Sequence, residues 1–345
     1  MKSTFDEKYT VETFAQLVNV DSTTSKCDDI ENLVVDMCLR LGYKPNRTHK
    51  GGVIVDLGGE GNPLVVTAHL DDIGLMVRHI NNDGTLKVVT IGGLYPTYAV
   101  TENVRVYTRD GKVYTGAICR KPNSVHVSED ELRKNAAEWD KDVCIVLDED
   151  VKSREDAEKL GIETGDIIAL EPRFQFVNGY IKSRFVDDKC AVAILFNAMK
   201  TLKENNIKLS RKVYFYFAEY EEIGHGTSYL PEGVKDILAI DIAPLGDEQT
   251  SDEKKVSVFC KDSRFPYHYE MTNEVRKVAK DNSINFVMDV FTPHYGTDCD
   301  TSLVAGYDVR HAAIGFGTAN SHGYERTHVD GLKNTYDLLM AYLLK

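Results

Sequence analysis

Three apolar runs end against acids or a histidine, and they limit the folds open to this chain. Leu64 to Ala68 runs straight into His69. Val213 to Ala218 is followed within a few residues by Glu221 and Glu222, and Ile237 to Ile240 by Asp241. A strand apolar on both faces belongs inside a sheet covered on both sides, which is the habit of parallel sheets. Parallel neighbours need long crossovers, usually helical. The chain supplies them. Helical spacing runs over Val11 to Val20, Asp28 to Leu41 (ending at Gly42), Cys190 to Leu202, Glu270 to Asp281 and Leu332 to Leu344. Further strands read at Gly52 to Leu57, Val256 to Phe259, Ile284 to Val290 and Val309 to Ile314. The pattern predicts an α/β fold with a mostly parallel central sheet flanked by helices.

From about Gly74 the texture changes. Leu75 to Ile80, Leu86 to Ile91, Val104 to Thr108 and Lys112 to Ile118 are short strands. Asn82-Asp83-Gly84 and Asp110-Gly111 between them are hairpin signals. One helix is expected over Ser128 to Glu138. The chain thus divides into a catalytic α/β segment at 1–73, an inserted small β-barrel-like domain at 74–172 and a second catalytic α/β segment at 173–345.

The chain has 345 residues, 42% of them apolar, enough for a large core without covalent staples. A formal net charge of −13 disfavours a nucleic-acid partner, which would need surplus Lys and Arg. No window approaches the ~18 apolar residues of a membrane span. The N-terminal stretch lacks the apolar region of a signal peptide. The seven cysteines are widely spaced and form no CxxC pair, so they read as reduced thiols. These features together predict a cytoplasmic protein with no nucleic-acid or membrane partner.

Open α/β sheets bind ligands at the carboxyl ends of their strands, which is where the chemistry-bearing residues fall. His69 and Asp71 share a face of an extended segment, so Asp71 has the spacing to orient His69 or a neighbouring ligand. Asp187 and Asp188 precede a helix, where a cap is the common role of Asp. Glu221 and Glu222 stand together after a buried strand. Paired acids raise each other's pKa unless one binds a cation and the other handles a proton. Asp241 ends another apolar run, and His322, Glu325 and His328 cluster near the C-terminus. Each residue has a structural reading as a cap, a turn or a solvated loop. Taken together, the set is the inventory of a two-metal hydrolase for zinc, cobalt or manganese.

The motifs TAHLDDIGLMV (67–77), FVDDKCAVA (185–193), AEYEEIGHGT (218–227), AIDIAP (239–244), YGTDCD (295–300) and SHGYERTH (321–328) occur in this order. With the IGGLYP turn between them, they resemble the metal-dependent aminopeptidases that assemble as tetrahedral particles. Members of that group also carry the labels glutamyl aminopeptidase and "endoglucanase M". The resemblance spans nearly the whole chain. It implies two divalent metal ions per subunit, held by His69, Asp187, Glu222, Asp241 and His322, with Asp187 bridging. It implies Glu221 as general base and Asp71 as the orienter behind His69. Peptide substrates and a homo-oligomer, possibly a dodecamer contacting through the inserted domain, follow in the same way. Lys189 stands where the family has Arg, Gly323 follows the C-terminal His where the family has Ser, and YGTDCD lacks one Gly of the family's GGTD. His328 is a second candidate for the His322 role, and Asp298 is either a pocket residue for the substrate amine or a turn residue. A related deacylase or carboxypeptidase would share the metal site, and a metal-stabilised scaffold without turnover would not need Glu221. A cellulase would need two opposed carboxylates along a sugar groove.

Overall fold

The computed structural model describes residues 3–121, 124, 126–127 and 136–345. Two helices open the chain, α1 (Glu7–Val18) and α2 (Asp28–Arg40), followed by strands β1 (Pro45–Arg47), β2 (Val53–Gly58) and β3 (Glu60–His69). Next come β4 (Gly74–Ile80), β5 (Leu86–Ile91), β6 (Asn103–Tyr107), β7 (Val113–Arg120), β8 (Val143–Leu147), α3 (Arg154–Leu160) and β9 (Ile167–Leu170). The remainder runs β10 (Gln175–Val177), β11 (Tyr180–Ser183), α4 (Val186–Glu204), β12 (Arg211–Ala218), β13 (Asp236–Pro244), β14 (Val256–Lys261), α5 (Tyr269–Asp281) and β15 (Phe286–Val290). It closes with α6 (Asp298–Val304), β16 (Arg310–Thr318), β17 (Glu325–His328) and α7 (Val329–Leu343). Residues 128–135 of the helix expected over 128–138 lie outside the described residues.

By contacts the chain forms two compact units. The first comprises residues 1–20, 27–71 and 173–345. Its sheet has eight strands in the order β1-β2-β12-β3-β13-β16-β14-β15. The pairs β12/β3, β3/β13, β13/β16 and β14/β15 are parallel, and β1/β2, β2/β12 and β14/β16 are antiparallel. This is the mostly parallel sheet that the apolar runs demand. Helix α4 is buried over nearly its whole length, as expected for a helix apolar all round. Phe196 on α4 stacks on Phe217 of β12 with ring centroids 5.0 Å apart. The opposite face of the sheet is filled by Val65, Tyr216, Ile237, Ala239, Phe259 and Ala313.

The second unit comprises residues 21–26 and 72–172. Strands β4-β5-β8-β7-β6-β9 close into an antiparallel barrel, which removes sheet edges altogether. Its interior is Leu75, Val77, Val88, Val106, Ile118, Ile145 and Ile168. Residues 21–26 belong here because Asp21 takes hydrogen bonds from Arg105 and Tyr107 of β6, while Ser22 donates to Asp72 at 2.9 Å. Nothing in the local sequence of that short stretch announces this long-range pairing. Strand β8 also escaped the sequence reading, since a five-residue apolar run has no turn signal to delimit it. Among the described residues no helix is long and apolar enough to cross a membrane.

The amino ends of three parallel strands are tied by one carboxylate. Asp236, at the start of β13, accepts from Arg211 of β12 at 2.6 Å and from Arg310 of β16 at 2.8 Å. Burial works to raise its pKa, but the hydrogen bonds from Arg310 and Arg211 outweigh this and hold the carboxyl below its ordinary 3.8. A carboxyl depressed in the folded state adds stability that is complete above the unfolded pKa and is lost as pH falls through the folded one. Asp236→Asn is therefore expected to cost roughly 3 kcal/mol at neutral pH, discounted from a fully buried pair because Arg310 is partly solvated. Below about pH 4 the wild type is expected to lose that advantage. Urea unfolding at pH 7 and pH 3 checks both expectations.

Candidate metal centre

The site lies at the carboxyl end of the parallel strands. β3 delivers His69, which pairs in register with Ala218 at the end of β12. Beyond Ala218 the chain makes a tight 3₁₀ turn at Glu221–Ile223 that carries both glutamates. β13 carries Asp241, paired with Gly315 of β16. A Cβ at Gly315 would lie 2.0 Å from the Asp241 carbonyl oxygen, so only glycine admits this close approach. His322 sits in the turn between β16 and β17.

Asp187 is not a helix cap. Although α4 begins at Val186, Asp187 and Asp188 have non-helical backbone angles, and the peptide between them is cis. The Asp187 carboxylate points in two directions. Its Oδ1 lies 3.1 Å from Nε2 of His69, and its Oδ2 lies 3.6 Å from Nε2 of His322. Glu222 Oε2 is 3.4 Å from His322 Nε2, and Glu221 Oε2 is 3.7 Å from His69 Nε2. Two triads result, His69–Asp187–Asp241 and Asp187–Glu222–His322, each with its donor atoms within 4.8 Å of one another and with Asp187 in both. The structure thus gathers the five residues that the resemblance names as ligands, and Glu221 stands beside them outside either triad.

Of the two roles its spacing allows, Asp71 sits closer to that of orienting a neighbouring ligand than to that of orienting His69. Its Oδ1 is 3.8 Å from His69 Nδ1, which lies closer, at 3.0 Å, to the Asp71 main-chain carbonyl. Its carboxylate instead accepts the backbone N–H groups of Glu221 at 3.1 Å and Glu222 at 3.4 Å. Asp71 orients the acidic turn. Asp188, one of the two candidates at the head of α4, is fully buried and accepts the His69 N–H at 3.2 Å. His328 caps α7, its Nδ1 accepting from the Asp330 N–H at 3.0 Å, and it packs edge-on against Tyr180. Asp298 is buried and takes a 2.7 Å hydrogen bond from Thr67.

The electrostatics follow from so many buried acids. Burial raises Glu221 and Asp241 well above the carboxylate range, and neighbouring carboxylates add to both shifts. Burial lifts Glu222 to about 8 and Glu325 to about 8. Asp187 goes the other way. Burial opposes it, but hydrogen bonds with His322 and His69 hold it well below the usual value. His69 is raised despite burial by its hydrogen bond to Asp187 and the charge of Glu221. The donor set fits divalent cations. It offers imidazole and carboxylate ligands, each triad shares one carboxylate with the other, and four acids (Asp187, Glu221, Glu222 and Asp241) match the charge of two dications.

The central matching segment, residues 51–338, fits the family model of M42 glutamyl aminopeptidases. The chain belongs to the M42 glutamyl aminopeptidase family. Members of the M42 family are metal-dependent peptidases. Among M42 relatives, YhfE of Bacillus subtilis is 36% identical over 338 residues, covering 97% of both chains. The lysyl aminopeptidase of Pyrococcus furiosus is 31% identical over 196 residues, covering 56% of this chain and 54% of that one. In fold the chain is similar to the TET1 peptidase of Pyrococcus horikoshii, described as assembling into a tetrahedron or a large octahedral shell. That match has a TM-score of 0.84 at 22% identity and covers 97% of this chain and 99% of the other.

Because burial lifts Glu222 to about 8, cation binding must displace protons. Zinc added to chelator-stripped protein in weak buffer at about pH 6.5 is expected to release protons. Potentiometric titration reads this directly, and zinc binding at that pH without proton release would contradict the assignment.

Proposed function

We propose that the protein is an aminopeptidase that removes the N-terminal residue of short peptides with two divalent cations bound per subunit. The observation that carries this reading is the Asp187 carboxylate, with one oxygen toward His69 and the other toward His322. A carboxylate shared between two donor triads would be a ligand common to two cations. His69 and Asp241 would hold one and His322 and Glu222 the other. Bound there, the cations would lower the pKa of water and polarise the scissile carbonyl. The remaining steps fall to the protein's own side chains. Glu221 takes the proton from the attacking water and returns it to the leaving amine, which asks for a carboxylate free of metal and near the centre. Burial and neighbouring acids raise its pKa above the ordinary carboxylate value, which makes it a stronger base than a solvated carboxylate. Asp71 fixes the turn that carries the base. The free amine of a peptide is drawn to this acidic pocket, which favours exopeptidase over endopeptidase action.

The native metal is zinc, cobalt or manganese by donor chemistry. The assembly is a homo-oligomer formed through the barrel unit. The homo-oligomeric state is supported by the description of the fold relative as assembling into a tetrahedron or a large octahedral shell. Light scattering that finds a monomer would remove the assembly from the reading.

Glu221→Gln is expected to lower the rate of amino-acid release by about a hundred- to ten-thousand-fold while metal content stays at the wild-type level. The assay compares unblocked with N-acetylated tripeptides, before and after chelation. Cleavage of the acetylated peptides would transfer the reading to a deacylase. No cleavage with any of the three metals would leave a binding protein.

A further inference from the structure

Glu325 is 1% exposed and belongs to neither metal triad, yet both of its oxygens are engaged at the centre. Oε2 accepts the backbone N–H of Asp187 at 3.1 Å, and Oε1 accepts the backbone N–H of His322 at 2.9 Å. These residues arrive from different parts of the fold, one at the head of α4 and the other in the turn between β16 and β17. Strand β17 lies antiparallel to β11, with Glu325 opposite Ser183, four residues before Asp187. The sheet pairing therefore delivers this carboxylate to the same spot that the chain reaches on leaving β11.

The turn it grips is under backbone strain. His322 has φ +61° and Asn320 φ +57°, the left-handed region, which asparagine visits readily but histidine seldom does. Such a conformation persists only where surrounding contacts impose it. Gly323 N–H bonds back to Asn320 O at 2.9 Å, and Arg184 Nη1 donates to His322 O at 3.4 Å. The shorter bond from His322 N–H to a carboxylate is the stronger restraint. The other triad has its own anchor, because Asp188 holds the His69 N–H at 3.2 Å and Asp241 lies within a sheet strand.

We propose that Glu325 is a positioning residue that locks the Asp187 and His322 backbones together and so sets cation affinity on the His322 side of the centre. The inference rests on the two-cation reading above. An amide cannot do the same work. A glutamine side chain in its place would offer one acceptor oxygen, and its NH₂ would face an N–H donor.

Calorimetric zinc titration of chelator-stripped wild type and Glu325→Gln, with metal content after dialysis, tests the inference. Wild type is expected to take up two equivalents. E325Q should bind one of them about 10- to 100-fold more weakly and the other with a smaller loss, since the shared Asp187 serves both. Its kcat should fall at limiting zinc and recover as zinc is raised, with KM for peptide little altered. If E325Q binds both equivalents like wild type, or loses both alike, the proposal is overturned. If wild type itself binds no zinc, the two-cation reading falls first and takes this inference with it. Should E325Q not fold, as judged by circular dichroism, E325D carries the comparison. It keeps both acceptor oxygens on a shorter arm, and wild-type affinity for both equivalents in E325D together with wild-type kcat at limiting zinc would overturn the proposal.

Discussion

A single buried carboxylate facing two histidines organises the centre. Asp187 lies 3.1 Å from His69 and 3.6 Å from His322, and among the described residues no other side chain belongs to both triads. Everything around it serves to make that placement tolerable. The head of α4 abandons helical geometry to present it. Two imidazoles hold it ionised against the cost of burial, while the acids beyond them are driven toward their neutral forms. Such an excess of buried acid is unfavourable without counter-charge and favourable around cations, which is why the arrangement speaks for metal chemistry more strongly than any one ligand does.

Around the triads stands a second set of acids that touch backbone instead of presenting themselves as ligands. Asp71 holds the N–H groups of Glu221 and Glu222, Asp188 holds that of His69, and Glu325 holds those of Asp187 and His322. Loops and turns are the natural place for reactive groups, but they are the least rigid part of a fold. A carboxylate that gathers two N–H groups fixes a turn with charge-assisted bonds.

The sheet was legible in the sequence, for a physical reason, and the residues gathered in the two triads are those the resemblance names. Strands buried on both faces must be continuously apolar, so Leu64 to Ala68 and Val213 to Ala218 declare themselves, and a charged residue at their ends is conspicuous. The partners of the supporting acids were not legible. Glu325 stands between Tyr324 and Arg326 in a polar stretch and looks like a solvated loop acid. Asp71 has the spacing of a His69 orienter, but its carboxylate turns to the N–H groups of the acidic turn that follows β12. His328 looked like a rival ligand until its place at the start of α7 made it a cap. In each case the deciding partner lies elsewhere in the fold, and spacing alone does not carry that information.

The stretch 21–26 has a consequence for how such a chain can change over time. The barrel unit is assembled from two separated pieces of sequence, 21–26 and 72–172. Recombination that exchanged the barrel as one continuous cassette would leave Asp21 without the guanidinium and phenol of Arg105 and Tyr107. A new barrel would arrive complete at its own strands yet lacking the ribbon that another part of the gene encodes. The unit is therefore less interchangeable than its closed β-barrel suggests, and residues 21–26 should drift in step with β6 and not with the helices on either side of them.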